Sequence, residues 1–392
     1  MQTPPAIVLS HGPGGLGAVR ALARRGVEVV AIAYEATDLV LHSRWPARRL
    51  LLAGATDAAK EAALLSLLQE LPCAGAAILA TSDRLVTFLA RYREALGGKY
   101  RFRLPPAEML DALNDKQKET RLAESLGFDI PKTVTTLPSR PEDLEAALQY
   151  PIIFKPKSFE VEALFPRKNA VVGEPAELRA FYREWHQALP ALLAQEVIPG
   201  PDSYSWICSC TFDEDHTLLD CGIKQKLRAL PAHFGGSTFA VSRGNAEILE
   251  LARRLGQRLR YVGHAGIEFR WDARDGTYKY LELNPRLPAN VGFDEACGLP
   301  TVWNSYRVAL EGRAELSGLT QRSGTYYLDL KGDFRSQRHD RVPIWRIVLG
   351  YAAVLVRRRT NGPHFAWDDP MPGLVVAARF LGSAWESLRR SS

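Results

Sequence analysis

The chain has 392 residues, 46% of them apolar and 24% charged, with 50 basic against 44 acidic side chains. Such a length corresponds to about two to three domains, and the composition excludes a disordered, collagen-like or low-complexity protein. The formal charge of +6 is unevenly placed: residues 1–312 hold 37 basic and 37 acidic side chains, residues 313–392 hold 13 and 7. A neutral body argues against nucleic acid as a partner. Cys73, Cys208, Cys210, Cys221 and Cys297 form no C-x-x-C pair, which points to reduced thiols and a cytoplasmic location. The start, Met-Gln-Thr-Pro-Pro, lacks the basic-then-apolar pattern of a signal peptide. The longest apolar run, Ile347–Val356, has ten residues, short of the roughly 20 that span a bilayer.

In chain order, Ala6–Ser10 and Val27–Tyr34 read as buried strands around a glycine-rich turn and the helical Leu16–Arg25. Helical Asp57–Leu71, strand-like Ala76–Ala80 and helical Arg84–Leu96 continue the alternation, which implies a parallel sheet covered on both faces. After Pro105-Pro106 come two helices, Ala107–Leu113 and Asp115–Leu126, then strands at Thr133–Thr136 and Ile152–Lys155 around a helix at Pro141–Leu148. Further strands are expected at Ala191–Val197, Ser205–Phe212, Thr217–Lys226, Gly263–Trp271 and Thr277–Leu283, with a helix at Ala246–Leu259. Clustered strands with interspersed helices suggest α+β lobes, distinct from the α/β first domain.

Gly12, Gly14 and Gly17 satisfy G-x-G-x-x-G between a strand and a helix, and Glu35 follows at the end of the next strand. That is a dinucleotide fingerprint, with amides facing a pyrophosphate and a carboxylate meeting the ribose. Its functional reading is an NAD(P)-dependent oxidoreductase. The plainer reading is that a tight strand-to-helix turn needs glycines.

A stronger constellation lies downstream. Glu282 and Asn284, two apart on one strand, point the same way. Glu268 on the preceding strand meets them if the two strands pair around Asp275-Gly276. Two carboxylates and an amide oxygen are hard ligands suited to Mg²⁺ or Mn²⁺, and Arg286 just beyond can reach an anion held there. Upstream, Ile152-Ile-Phe-Lys-Pro-Lys delivers Lys155 and Lys157 at the end of an apolar strand, where a nucleotide phosphate is a fitting partner. Gln195-Glu196-Val197-Ile198-Pro-Gly200 ends another apolar strand whose backbone can read an adenine edge. Asp202 follows at a spacing suited to a ribose hydroxyl.

Taken in order, Asp115-Lys116, Phe154-Lys155-Pro-Lys157, Gln195-Glu196-Val-Ile-Pro-Gly, Glu268-Phe and Glu282-Leu-Asn-Pro-Arg286 resemble the ATP-grasp superfamily of carboxylate–amine ligases. Within it the chain looks most like the group related to D-aspartate ligase, through Thr81-Ser-Asp83, Lys226-Leu-Arg228 with a nearby Gly-Gly-Ser, and an Asp-Pro-x-Pro in the tail. The resemblance implies a Rossmann-like domain (1–112), two ATP-grasp lobes (113–194 and 195–312, the second with the metal site) and a basic, helical C-terminal extension (313–392). It implies an acyl-phosphate route to an amide from small carboxylate and amine substrates, with ATP and Mg²⁺ as cofactors. Lys116, Lys155 and Lys157 would bind phosphates, and Gln195 to Ile198 the adenine. Asp202 would hold the ribose, and Glu268, Glu282 and Asn284 the metal. Arg286, Lys226 and Arg228 would act on the transferring group and substrate carboxylate.

The segment Ser158–Lys168, where the superfamily's phosphate-covering loop is usually glycine-rich, has no glycine; Arg167 or Lys168 would substitute by charge. The histidines show no metal spacing. A non-catalytic ATP-binding protein is the remaining alternative, and a homodimer is compatible with the pattern. In the tail, Ile347–Val356 with Arg357–Arg359, and Leu374–Leu381 with Arg389-Arg390, alternate apolar stretches with arginines. That suits either peripheral contact with the inner membrane face or helices packed on the ligase body.

Overall fold

The computed structural model describes residues 3–158, 161, 164–316, 321–356 and 359–390, without the side chains of 355 and 381–390. Phe159, Glu160, Glu162 and Ala163 of the glycine-free loop, Arg357 and Arg358, and the side chains of Arg389 and Arg390 lie outside the described residues.

The first stretch contains β1 (Ala6–Ser10), α1 (Pro13–Ala23), β2 (Val29–Ala33), β3 (Arg48–Leu51), α2 (Asp57–Glu70), β4 (Ala77–Ala80), α3 (Asp83–Arg91) and α4 (Arg93–Gly97). Past Pro105 come α5 (Ala107–Asn114), α6 (Lys116–Ser125), β5 (Thr133–Val134), α7 (Pro141–Ala147), β6 (Ile152–Pro156), β7 (Ala170–Val172), α8 (Pro175–Glu184) and β8 (Leu192–Glu196). The chain continues through β9 (Ser205–Phe212), β10 (Leu218–Leu230), β11 (Gly236–Ser242), α9 (Ala246–Leu259), β12 (Gly263–Asp272) and β13 (Thr277–Asn284). It ends with α10 (Val291–Ala296), α11 (Thr301–Glu311), β14 (Tyr326–Leu328), α12 (Leu330–His339), α13 (Ile344–Val356), β15 (Thr360–Asn361) and α14 (Met371–Arg390).

The residues gather into two compact units, Met1–Pro105 with Ile207–Gly266 and Asn284–Ser392, and Pro106–Trp206 with Ile267–Leu283. The first of these divisions falls between Pro105 and Pro106. Residues 195–312 are shared by both units, because β9, β12 and β13 each start in one and end in the other.

In the first unit, β1 to β4 form a parallel sheet in the order β3-β2-β1-β4. β1, β2 and β4 are buried along their whole length, as strands covered on both faces must be, hence their unbroken apolar runs. β3 is a polar edge strand with no such run. In the same unit β11 pairs antiparallel with β10 and β14, and β14 parallel with β15. The second unit holds the antiparallel sheet β5-β8-β6-β7. Its core joins Ile152 and Phe154 to Leu178 and Phe181 of α8, and Phe154 stacks on Phe181 with ring centroids 4.0 Å apart.

The glycine turn between β1 and α1 has a different use from a dinucleotide site. Gly12 adopts φ +85° to turn the chain. A Cβ on Gly14 would stand 2.8 Å from the Pro288 carbonyl oxygen, and one on Gly17 would stand 2.9 Å from the Gly292 amide nitrogen. The chain's own 287–292 backbone thus lies against Gly14 and Gly17, and Glu35 is ion-paired with Lys60 at 2.6 Å. The glycines serve close packing of α1 on α10.

The tail also docks on this unit. Arg20 of α1 is buried against Asp369 at 2.9 Å, and it donates to the His364 and Asp369 carbonyls. Asp369 accepts from Ser43 Oγ at 2.7 Å and from the Arg44 amide at 3.0 Å. Val375 and Val376 of α14 pack on the core of the parallel sheet. Among the described residues no helix is long and apolar enough to cross a membrane.

Two stability outcomes follow. Gly17→Val, forcing a side chain onto backbone, should cost about 1–3 kcal/mol, seen as a lower urea midpoint at unchanged slope. Arg20→Met leaves Asp369 buried without its cation and should cost about 3–5 kcal/mol. A midpoint like that of the parent for either variant would refute the corresponding contact.

Candidate active site

The second unit brings together most of the residues singled out in the sequence. Asp115 caps α6, its carboxylate accepting from the amides of Gln117 at 2.8 Å and Lys118 at 3.1 Å, as N-cap aspartates do. That cap makes Lys116 the first helical residue and fixes where its side chain leaves the helix. Lys116 Nζ donates to Glu282 Oε2 at 2.9 Å and lies 3.8 Å from Glu119. Lys155 faces the same charges. On β6 it sits two residues from Ile153, which pairs with Gln195, and diagonal strand neighbours are within reach of long side chains. Lys155 Nζ accordingly donates to Gln195 Oε1 at 2.8 Å. Burial pulls the Lys155 ammonium down to about 8, with Lys116 acting in the same direction, while Glu282, Glu119 and Glu268 hold it up. Two cations and three carboxylates therefore act on one another in this unit.

Glu119 is the member that the sequence reading missed. It is 3% exposed and accepts from Tyr280 Oη and from the Leu283 amide, each at 2.6 Å. These bonds tie α6 to β13 beside Glu282. Burial pushes its carboxyl up to about 7 against the pull of Lys116. The available signal was its position three residues after Lys116 on a capped helix, a spacing that places both on one face.

The strand end at Gln195–Gly200 is held firmly. Gln195 Nε2 donates to Thr133 Oγ1 at 2.8 Å. Glu196 is turned inward, accepting from the Gln149 amide at 3.0 Å and meeting Arg274 at 3.4 Å. The Val197 amide donates to the Pro151 carbonyl. Arg270, also missed in the sequence, donates to the carbonyls of Ile198 at 3.0 Å and Gly200 at 2.7 Å, and the negative charge of Asp202 favours its charged form against burial. Lys157 points elsewhere, to the Pro190 carbonyl at 2.8 Å.

The remaining expected residues belong to the first unit. Arg286 Nη2 reaches Asn284 Oδ1 at 3.4 Å, and Arg286 Nε lies 3.3 Å from Asp83 Oδ1. Both atoms of that ion pair are buried without a geometric hydrogen bond. Thr81 accepts from the His11 amide and Ser82 caps α3, which sets Asp83 at the mouth of β4. Lys226 is buried and donates to the Gly235 carbonyl at 3.0 Å. The register shifts between Lys226 and Arg228. Arg228 is clasped by Asp333 at 2.7 and 2.9 Å and lies 4.3 Å over Phe239, so here it ties β10 to α12. His264 sits between Ser209 and Ser305 and is held neutral, its pKa lowered to about 3 by burial and then by Lys224 and Arg286; that placement is structural.

Among the described residues no three His, Cys, Asp or Glu side chains form a metal cage. Glu268 and Glu282 nonetheless offer carboxylates whose charge acts on Lys155, and hard oxygen donors without thiolate or imidazole fit Mg²⁺.

The raised Glu119 carboxyl has a pH consequence. Its proton is held more tightly in the folded chain, at about 7 against an ordinary 4.5. This group's contribution to stability is therefore full below the ordinary value and lost as pH rises through the folded one. Urea unfolding at pH 5 and pH 8 should show a larger loss for the parent than for Glu119→Gln. Equal losses would contradict the assignment.

No family model matches the chain. It is 23% identical over 224 residues to the D-aspartate ligase of Enterococcus faecium, a match covering 53% of this chain and 52% of that protein. It is 26% identical over 223 residues to the carbamoyl phosphate synthase large chain of Deinococcus deserti, 55% of this chain and 21% of the other. The matches thus span about half or less of these relatives' own length. Among solved structures, the L-amino acid ligase from Bacillus licheniformis superposes with TM-score 0.63 at 17% identity, over 83% of this chain and 79% of that one. The N5-carboxyaminoimidazole synthetase from Staphylococcus aureus complexed with ADP gives 0.62 at 14% identity, over 80% and 79%. At these identities the likeness is one of fold: the chain shares the fold of these two enzymes.

Proposed function

We propose that the chain is an ATP-dependent ligase that joins a small carboxylate to an amine, releasing ADP and phosphate. The observation that carries the reading is the cluster of Lys116, Lys155, Glu268 and Glu282, whose charges all act on the Lys155 ammonium. The likeness to D-aspartate ligase and the ADP held by a structural relative support the nucleotide.

In this reading Lys116 and Lys155 meet the phosphates; Lys157, turned to Pro190, has a lesser part. The Gln195–Ile198 strand end, braced by Arg270 and Arg274, receives adenine, and Asp202 the ribose. Glu268 and Glu282, joined by Asn284 two residues along the same strand, would hold Mg²⁺, which when bound supplies charge neutralisation at the phosphates. The substrate carboxylate oxygen attacks the γ-phosphorus, the bond to the β-phosphate oxygen breaks, and ADP departs. The amine then attacks the acyl phosphate carbon, phosphate leaves, and the amine proton passes to solvent. The chain's own share is positioning and electrostatics. Arg286, oriented by Asp83 and Asn284, stabilises negative charge at the transferring group or on the carboxylate. Lys226 is the second candidate for the substrate carboxylate, whereas Arg228 would have to exchange its partner Asp333 to take part.

Mg-ATP at about 100 times its Kd should stabilise the chain by about 2.7 kcal/mol, while NAD(P) should not. Lys155→Met removes a charge-assisted donor, a loss of about 1.5–3 kcal/mol, or about 10–100-fold in Mg-ATP affinity, by titration calorimetry. ADP release screened over carboxylates with amino acids or amino sugars should find a pair that raises turnover and that Glu282→Ala abolishes. Stabilisation by NAD(P) alone, or unchanged turnover in Glu282→Ala, would sink the ligase reading.

A further inference from the structure

Helix α13 is almost wholly apolar, and the structure shows which of its faces is used. Val354 is buried against Phe239 and Leu328, with Tyr351 packed beside it, and Ile347 is buried at the same helical spacing. These three fall at intervals of four and three residues, one face of a helix. Among the other described side chains of the helix, Ile344, Trp345, Val348, Leu349, Ala353 and Val356 are exposed. Trp345 is 60%, Leu349 61% and Val356 77% exposed. Their spacing of one, four, five, nine and twelve residues draws a continuous stripe opposite the docked face. An apolar stripe of this extent is unusual on a surface without a partner.

The charge around it selects the occupant. Arg346 is the one charged residue within α13, its guanidinium lying 5.1 Å from the Trp345 ring centre. Arg338 and Arg341 precede the helix, and Arg357, Arg358 and Arg359 follow it in sequence. The segment from 335 to 359 thus holds seven arginines against one acidic residue, Asp340. A second copy docked face to face by this stripe would bring like charges together at the rim. An anionic lipid surface complements them, and a tryptophan beside an arginine suits the boundary between headgroups and acyl chains.

We infer that α13 is a peripheral membrane-contact helix, lying in the interface of an anionic bilayer by its exposed stripe with Arg338, Arg341, Arg346 and Arg359, all exposed, on the headgroups. Thirteen residues at about 1.5 Å each are too short to span the bilayer and long enough to lie in its surface. This refines the expectation for the tail. The start of α14 is committed to the parallel-sheet unit through Val375 and Val376, and Arg379 donates to the Thr37 carbonyl. The lipid contact is therefore assigned to α13.

The test is co-sedimentation of the full chain with vesicles of phosphatidylcholine alone and with 30 mole per cent, roughly, phosphatidylglycerol, at low and high salt. The chain should pellet with the anionic vesicles, at least about tenfold more than with neutral ones, and salt should weaken it. Leu349→Glu, at an exposed position, should lose that binding while keeping the parent's melting temperature and its stabilisation by Mg-ATP. Equal partition on both lipids, no pelleting, or undiminished pelleting of Leu349→Glu overturns the inference. So does a concentration-dependent dimer in sedimentation velocity that Leu349→Glu dissolves, which would assign the stripe to a second copy. The Mg-ATP readout keeps a failure here separate from a failure of the ligase reading.

Discussion

The arrangement in the second unit depends on one constraint: charges gathered at the end of an apolar strand must neutralise one another. Lys155 leaves a strand whose preceding residues are fully committed to the core, so water cannot solvate its ammonium freely, and burial lowers its pKa. An isolated buried ammonium would lose its proton or destabilise the fold. Here Glu119, Glu268 and Glu282 hold it charged, while Lys116 opposes it. The reciprocal argument applies to Glu119, which tolerates burial only because Tyr280 and the Leu283 amide donate to it. Such a balance is also what a polyanionic ligand needs. Bringing phosphates to Lys116 and Lys155 would displace carboxylate contacts, and a divalent cation on the carboxylates would compensate.

Much of this was written in local chemistry. Buried strands appear as apolar runs, Asp115 is a recognisable cap, and the Asp275-Gly276 turn marks the hairpin that carries Glu268 and Glu282. What escaped the sequence depends on contacts far along the chain. β3 is an exposed edge, so its Arg48–Leu51 segment carries little apolar signal. β11, Gly236–Ser242, alternates small and polar residues with a few apolar ones and becomes a strand through its pairing with β10. Glu119 and Arg270 gain their meaning from partners 161 and 72 residues away.

The N-terminal glycines show how one pattern serves two physical purposes. A missing Cβ admits a pyrophosphate or a neighbouring backbone equally well, and the motif does not say which. Only the 288–292 segment lying on Gly14 and Gly17 distinguishes them. Arg228 illustrates the same degeneracy for charge. A cation near a strand end reads as a substrate ligand until Asp333, 105 residues on, is found bound to it.

The tail resolves along similar lines. Its excess of arginine said only that something anionic would be welcome, and both apolar stretches were equal candidates. Packing divides them. Arg20 and Asp369 form a buried pair that holds the residues just ahead of α14 on α1, and α14 then packs two half-buried valines against the sheet core. That anchoring leaves α13 with its outer stripe uncovered. One buried ion pair 349 residues apart in sequence thus fixes the segment ahead of α14, while α13 is held through Ile347, Tyr351 and Val354.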